Sequence, residues 1–526
     1  MTYDTIIVGA GSAGCVLANR LSVDPGRRVL LLEAGPRDWH PFIHMPAGIA
    51  KLVGKKGINW DYYTEPEPHL DNRRLWWPRG RVLGGSSSIN AMCYIRGVPD
   101  DYDEWARASG DARWSWPHVL PYFKRAEGNT RGDDELHSAH GPLGVQDLRC
   151  HNRLSQAFID AALAAGHAAN DDFNGSRQAG FGFYQVTQRN SARCSAATAY
   201  LQVARDRANL HVLTGAAAQR VIVSGARASG VDYRHRGSIA RAEAGEVVLC
   251  GGAINSPQLL MLSGIGPADH LREHGIEVAL DLPGVGANLQ DHLDICTLQR
   301  STQPVTYDRL SDLAVAWKYF TRRDGPGTSN VAEAGGFVRT RLAVDARCDM
   351  QLHFVPALLD DHGRNRLPGY GYTLHACALR PRSRGAIRLR SANPADKAAI
   401  FANYLSDAEG YDLRMLLEGI KLSREILGAA PFEAYRGPEL FPGSDLRSER
   451  DLIAFIRHKA ETIYHPVGTC RMGRDAQAVV DAELRVHGAA GLRVVDASVM
   501  PCLPGGNTNA PTIMIAEQAA DFITRA

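Results

Sequence analysis

The sequence predicts a mixed α/β fold in which one sheet-based domain is interrupted by another. Three observations carry this expectation. The chain has 526 residues, too long for a single compact core. It opens on a β-branched apolar run, a glycine-rich turn, a helical pattern and a second apolar run. Its motif-dense segments lie at the two ends, around a middle of residues 311 to 460 that alternates strand-like and helix-like stretches without a glycine-rich loop.

Thr5 to Val8 has the composition of a buried parallel strand. Gly9-Ala10-Gly11-Ser12-Ala13-Gly14 follows, and Cys15 to Leu21 has helical spacing until Asp24-Pro25-Gly26 breaks it. Arg28 to Leu32 is a second buried strand, ending at Glu33, nineteen positions beyond Gly14. Each element has a job in a dinucleotide site. Gly9 permits a tight turn, Gly11 lets backbone approach a pyrophosphate, and Gly14 lets helix and strand pack closely. The helix start offers free N–H groups to phosphates. Glu33 can accept hydrogen bonds from two ribose hydroxyls. The bland alternative is a glycine turn with a surface glutamate. The spacing makes the unit Rossmann-like but does not separate FAD from NAD.

Composition narrows the class. Hydrophobic residues make up 44% and charged residues 22%, as in soluble globular proteins. A formal net charge of +2 gives no case for a nucleic-acid partner. Ten cysteines are scattered without CxxC spacing, which argues against zinc ribbons and fits reduced thiols in a cytoplasmic protein. Cys15 and Cys250 read as small core residues. The apolar run Thr5 to Ala18 differs from a signal peptide: no Lys or Arg precedes it, Asp4 abuts it and it holds three glycines. No apolar run reaches the eighteen residues of a membrane span, which leaves peripheral attachment open.

Residues 36 to 120, rich in Trp, Pro and Gly, read as loops wrapping an extended ligand. Leu210 to Leu213, Val221 to Val223 and Glu246 to Cys250 return to short strands, and Leu492 to Val495 is another, closed by Asp496. The expected organisation is a discontinuous cofactor domain of residues 1–155, 200–310 and 462–526, with a substrate domain of residues 156–199 and 311–461.

Four separated motifs point to a family. Gly80-Arg81-Val82-Leu83-Gly84-Gly85-Ser86-Ser87-Ser88-Ile89-Asn90 resembles the first signature of glucose-methanol-choline (GMC) oxidoreductases. Gly252-Ala253-Ile254-Asn255-Ser256-Pro257, with Ser263-Gly264-Ile265-Gly266, resembles the second. His465-Pro466-Val467-Gly468-Thr469-Cys470-Arg471-Met472-Gly473 and Gly506-Asn507-Thr508-Asn509-Ala510-Pro511-Thr512 resemble the active-site segments. The likeness spans residue 3 to about 520, and Tyr94 to Gly97 and Ala332 to Phe337 place the chain with bacterial aliphatic-alcohol and choline dehydrogenases. The resemblance implies a Rossmann-like FAD-binding domain, with an inserted substrate domain built on an antiparallel sheet flanked by helices. Its implied cofactor contacts fall on Gly9, Gly11, Ser12, Ala13, Gly14, Glu33 and Ala34 near the N-terminus. They continue through Arg81, Gly84, Gly85, Ser86, Asn90, Ala91 and Met92, then Val221, and end at Asp496, Ala497, Asn507, Pro511 and Thr512. Some relatives bind flavin covalently through a histidine at or near Ile89; an isoleucine cannot do so, and non-covalent FAD is expected.

Removing hydride from an alcohol carbon requires removing the hydroxyl proton, a task suited to a neutral imidazole. Any one of nineteen histidines taken blindly is structural, but His465 matches the family's active-site histidine. Asn509 is matched to the second active-site position, to orient the alcohol and stabilise developing alkoxide. Pro511 suits a first helical position, with Thr512 to Ala520 as helix and its positive end near the flavin's pyrimidine edge.

The expected reaction is oxidation of a primary alcohol to an aldehyde, with hydride passing to flavin N5 and electrons to a quinone-type acceptor. Choline dehydrogenation and an oxygen-using oxidase are the alternatives, with a flavin-containing lyase behind them. A choline cage could draw on Trp60, Tyr62, Tyr63, Trp76, Trp77 and Tyr464, with Glu333 as counter-charge. A hydrolase built on Ser263, Asp291 and His292 lacks the G-x-S-x-G elbow. Oligomeric state is not legible.

Overall fold

The computed structural model describes residues 2–52, 54–365 and 367–525. Thr2–Val8 lies between Val29–Glu33 and the latter half of Ser238–Leu249, parallel to both. Leu210–Thr214 pairs outside Val29–Glu33, and Leu492–Val494 pairs with Val247–Leu249 on its other side. Ile6, Ile7, Leu30, Leu31, Val247 and Val248 are buried whichever way they point, as a sheet packed on both faces requires. Ser238–Leu249 changes partner along its length: its first half pairs antiparallel with Arg227–His235, which pairs with Ala216–Ser224. The parallel strands end on one edge, at Gly9, Glu33, Cys250 and Asp496, where open parallel sheets bind ligands.

Helix Ser12–Leu21 begins three residues before the expected Cys15, because Gly11 already accepts from the Cys15 N–H. It buries Cys15, Val16, Leu17 and Ala18 and packs against the C-terminal helix Asn509–Arg525. A buried carboxylate, Glu517, ties the two together. It accepts from Arg20 Nε and Nη2 at 2.9 and 2.8 Å, Arg125 Nε at 2.8 Å and Tyr200 Oη at 2.8 Å. Without such donors a carboxylate there would be strongly destabilising. The two ends of the chain thus form one unit.

The second sheet runs Arg436–Phe441, Leu293–Ser301, Gly371–Ala378, Met350–Val355, Ala334–Val338, Gly180–Phe183, all antiparallel. Glu461–Thr462 adds to the start of Leu293–Ser301. Leu293–Ser301 falls within residues 200–310, yet pairs in this second sheet. Helix Tyr411–Gly428 covers one face, with Gly419 against the sheet: a Cβ there would lie 2.8 Å from Ala376 Cβ. The opposite face looks into a cavity. Its period of two places Asp294, Cys296 and Leu298 on the cavity wall, with His353, Val355 and His375 from neighbouring strands.

Residues 36 to 120 depart from the loop-rich expectation at Pro99–Ser109, which is a helix, and Trp116–Ala126, another, begins inside that stretch. Pro99 opens the first with Asp100 and Asp101 in its first turn, a favourable helix start. Trp105 and Trp114, which made the stretch look like loop, are fully buried core residues. The C-terminal helix starts at Asn509 and not at Pro511, which sits as its third residue, where a missing N–H costs nothing.

A Cβ at Gly14 would collide with the Gly9 carbonyl oxygen. Gly14→Ala is expected to push the helix off the sheet at a cost of about 1–3 kcal/mol. Thermal unfolding checks this: Gly14→Ala should melt several degrees lower, whereas Gly428→Ala, with nothing within 4 Å, should not.

Candidate active site

A cavity of about 1310 Å³ extends from the edge of the parallel sheet to the open face of the second sheet. Glycine spacing at its N-terminal end identifies a cradle. Gly9 has φ 104°, and a Cβ there would lie 2.5 Å from the Cys250 carbonyl oxygen. A Cβ at Gly85 would lie 2.7 Å from Gly11 Cα. These two glycines, with Gly14, are imposed by packing. Gly11 is different: a Cβ there would meet only Cys250 O, at 4.0 Å, and its open side faces the cavity. Packing leaves room at Gly11; a ligand lying against the backbone would fill it.

Two buried carboxylates flank the cradle. Glu33 accepts from Ala10 N–H at 3.0 Å and Gly35 N–H at 2.7 Å, and burial pushes it up to about 7. Asp496 accepts from Gly252 N–H, Ser256 Oγ and Ser498 N–H, and burial raises it too. The loop at 80–92 is braced from behind by Arg193. This buried guanidinium donates to Ile43 O, Ser87 O, Asn90 O and Asn90 Oδ1. Burial lowers it to about 9.

Ser12, Ala13, Ala34, Arg81, Ser86, Asn90, Ala91, Met92, Ala497 and Thr512 line the cavity with Gly9, Gly11, Glu33, Gly85 and Asp496. Gly14, Gly84, Val221 and Pro511 are not on its wall. The Val221 N–H donates to Ser263 Oγ at 2.8 Å, and its strand reaches the cavity through Ala216 to Gln219 instead.

His465 faces the cavity where the two sheets meet, and two chains of hydrogen bonds determine where its proton sits. His292 Nε2 is 3.1 Å from the Leu379 carbonyl oxygen. A carbonyl only accepts, so Nε2 carries hydrogen. Burial pushes His292 down to about 3, so it is neutral and its Nδ1 is bare. That nitrogen lies 3.0 Å from His465 Nδ1, which must therefore donate. Burial, then His292, His353 and Arg79, hold His465 well below the usual imidazole range. It is neutral, with hydrogen on Nδ1 and a lone pair on Nε2.

The second chain agrees. Tyr184 Oη donates to Leu352 O at 2.7 Å and so accepts from Gln351 Nε2 at 3.2 Å. The same Gln351 nitrogen donates to Asn507 Oδ1 at 3.1 Å. Asn507 Nδ2 then points at His465 Nε2, 3.2 Å away, where it can only donate. Both chains, each anchored on a backbone carbonyl, leave His465 Nε2 an acceptor. Backbone geometry adds to the positioning. The His465 N–H donates to buried Asp291 Oδ1 at 2.7 Å, and Thr462 Oγ1 donates to the same carboxylate at 2.5 Å. Tyr464, Met92 and Val331 have φ of 73°, 62° and 72° and all line the cavity, so backbone strain gathers there.

The expected partner Asn509 is corrected by this geometry. Its Oδ1 accepts from Ser12 Oγ at 2.7 Å, tying the C-terminal helix to the glycine turn, and Asn507 stands beside His465. The chain enters the helix at Asn509, so side chains two residues apart face different parts of the cavity. His353, Gln351 and Arg193 escaped sequence reasoning, and His292 was weighed only with Ser263 and Asp291 as a hydrolase set. The run Leu289-Gln290-Asp291-His292 offered a signal, but no local spacing links it to His465. Glu333 is not on the cavity wall. It accepts from Asn152 N–H, Ser155 Oγ, Ser329 Oγ and Tyr307 Oη.

Comparison with known proteins agrees along the whole chain. Family models described as GMC oxidoreductase match residues 3–294 and 381–516. The alcohol dehydrogenase (acceptor) of Pseudomonas putida is 51% identical over 532 residues, covering 99% of this chain and 96% of that protein. The mitochondrial choline dehydrogenase of Mus musculus is 46% identical, covering 99% of this chain and 89% of its own. Among solved structures, pyridoxine 4-oxidase from Mesorbium loti superposes with a TM-score of 0.91 at 34% identity, covering 100% of this chain and 99% of its own. Aspergillus oryzae formate oxidase, solved as a variant affecting FAD modification, gives 0.93 at 27%, covering 100% and 98%. With the glycine cradle, the two-sheet cavity and the family match in agreement, the chain belongs to the GMC oxidoreductase family.

Proposed function

We propose that this enzyme oxidises a primary alcohol to an aldehyde, with FAD bound non-covalently in the cavity and a quinone-type compound as electron acceptor. The observation that carries this reading is the bare Nε2 of His465, facing the cavity beside the Asn507 N–H. The residues present fit FAD. Gly11 leaves its backbone open to a pyrophosphate, Glu33 stands at the strand end suited to a ribose, and Asn90 to Met92 line the path toward His465. Ile89 lines the same wall and has no nucleophile with which to bond the flavin. When bound, FAD supplies the acceptor for the hydride leaving the carbinol carbon. We assign residues 1–155, 200–310 and 462–526 to the cofactor domain and the rest to the substrate domain, with Leu293–Ser301 serving the latter's sheet.

The substrate hydroxyl replaces the direct contact between His465 and Asn507. It donates its O–H to His465 Nε2 and accepts from Asn507 Nδ2–H. His465 takes the proton as the C–H bond breaks, while its Nδ1–H stays donated to His292 Nδ1 and keeps the ring in place. Asn507 holds the oxygen as negative charge develops. The name of the Pseudomonas relative, alcohol dehydrogenase (acceptor), supports an electron acceptor without stating its chemistry.

Choline is the second reading, and Asp294 favours it: this carboxylate faces the cavity, 2.5 Å from His375 Nδ1. Other groups weigh against a cationic substrate. Glu333 is saturated with donors, and Trp60, stacked on Tyr62, already carries the Arg81 guanidinium 5.1 Å from its ring centroid.

Two measurements test the assignment. The purified protein should show an oxidised-flavin spectrum that 1-octanol or benzyl alcohol bleaches without oxygen, and His465→Ala should keep its FAD but lose roughly 10²–10⁴-fold in turnover. Bleaching by choline alone would overturn the substrate class. His292→Ala removes the acceptor for His465 Nδ1–H without touching substrate. It should lower kcat/KM by on the order of 10²-fold at unchanged FAD content, and an unaltered kcat/KM would refute the relay.

A further inference from the structure

We propose that helix Asp312–Arg322 seats the protein on an anionic phospholipid surface, with the mouth of the cavity turned toward the bilayer. This helix buries one side chain, Tyr319, whose Oη donates to His44 O at 2.9 Å. Val315 is half-buried and lines the cavity, and the large apolar side chains on the opposite side project outward. Leu313 is 84% exposed, Trp317 62% and Phe320 49%. Spaced i, i+4 and i+7, they form one stripe, and Leu310 extends it. A run of large apolar side chains left open to water on one helix face marks an interaction surface.

Charge selects the occupant. Between residues 308 and 324, Arg309, Lys318, Arg322 and Arg323 stand against Asp308, Asp312 and Asp324, and Lys318 Nζ lies 3.4 Å from Asp324 Oδ2. Asp312 is neutralised by Lys51 at 2.7 Å, and Arg322 lies 5.7 Å from the Trp317 ring centroid. Trp, Phe and Leu on one side with Lys and Arg beside them are the composition of a helix that lies in a lipid interface. The cations would meet lipid phosphates while the stripe enters the acyl boundary. The neighbouring segment, joined through His44, carries Trp39, itself 79% exposed, with Arg37 over its ring. Among the described residues no helix is long and apolar enough to cross a membrane, so this contact is superficial.

The location gives the contact a use. Leu310 and Val315 line the cavity, as do Phe42, Met45 and Ile49 from the adjoining segment. The exposed stripe and the apolar wall of the cavity therefore belong to one element. A lipid-soluble alcohol or acceptor could pass from the acyl region into the cavity without crossing water.

The test uses the FAD-loaded protein and flotation with vesicles of phosphatidylcholine alone or mixed equally with phosphatidylglycerol. The wild type should float with the anionic vesicles and remain below with the neutral ones at high salt. The triple variant Leu313→Asn, Trp317→Ser, Phe320→Ser should float about tenfold less. It should turn over benzyl alcohol with a soluble dye at the wild-type rate, which excludes misfolding. Lys318→Glu with Arg322→Glu should give the same loss by removing charge. Wild type that never floats, or a triple variant that floats equally well, would overturn the proposal. So would a wild-type dimer in light scattering that the triple variant dissolves while neither floats, because the stripe would then bind a second copy of the chain.

Discussion

The hydrogen bond that His292 donates to the Leu379 carbonyl determines the polarity of everything around His465. Because a backbone carbonyl accepts and never donates, the neighbouring imidazoles have one arrangement open to them while both are neutral. Burial ensures that neutrality, since charging either ring inside this cavity carries a large desolvation penalty. A second chain, anchored on the Leu352 carbonyl, meets the first from the other side with the same polarity. His465 is thereby held with its Nε2 lone pair toward the cavity, the orientation that the proposed proton transfer requires.

The fold serves this arrangement by bringing together strands far apart in sequence. His465 and His292 are separated by 173 positions, and His465 itself follows the short strand that closes the second sheet. The parallel sheet supplies the opposite wall, where strand ends, glycines and two buried carboxylates converge. Glu517 and its guanidinium partners lock the first and last helices together, which holds the segment around Asn507 against the glycine turn through Ser12 and Asn509. Strained backbone at Met92, Val331 and Tyr464 is tolerated where these walls meet.

Legibility in the sequence followed locality. Gly9, Gly11, Gly14 and Glu33 could be read because a turn, a close approach and a strand end each demand a residue type at a fixed spacing. His465 could be read from its motif. Asn507 and Asn509 could not be told apart, because both lie where a loop becomes a helix and only the observed helix start decides which side chain reaches the histidine. Gln351 and His353 gave no local signal, since strand pairing in the second sheet places them, and His292, just before Leu293–Ser301, suggested only a hydrolase set with Ser263 and Asp291. The tryptophans of residues 99 to 126 misled for a related reason: composition reports that large rings are present, and only packing reports that Trp105 and Trp114 lie in a core.

The most direct test of the relay is nitrogen NMR on histidine-labelled, FAD-loaded protein near pH 6, about half a unit below the pKa of free imidazole. The account predicts that His292 and His465 are both neutral, with His465 protonated at Nδ1 and bare at Nε2, assigned by comparison with His465→Ala and His292→Ala. A His465 signal protonated at Nε2, or at both nitrogens, would contradict it.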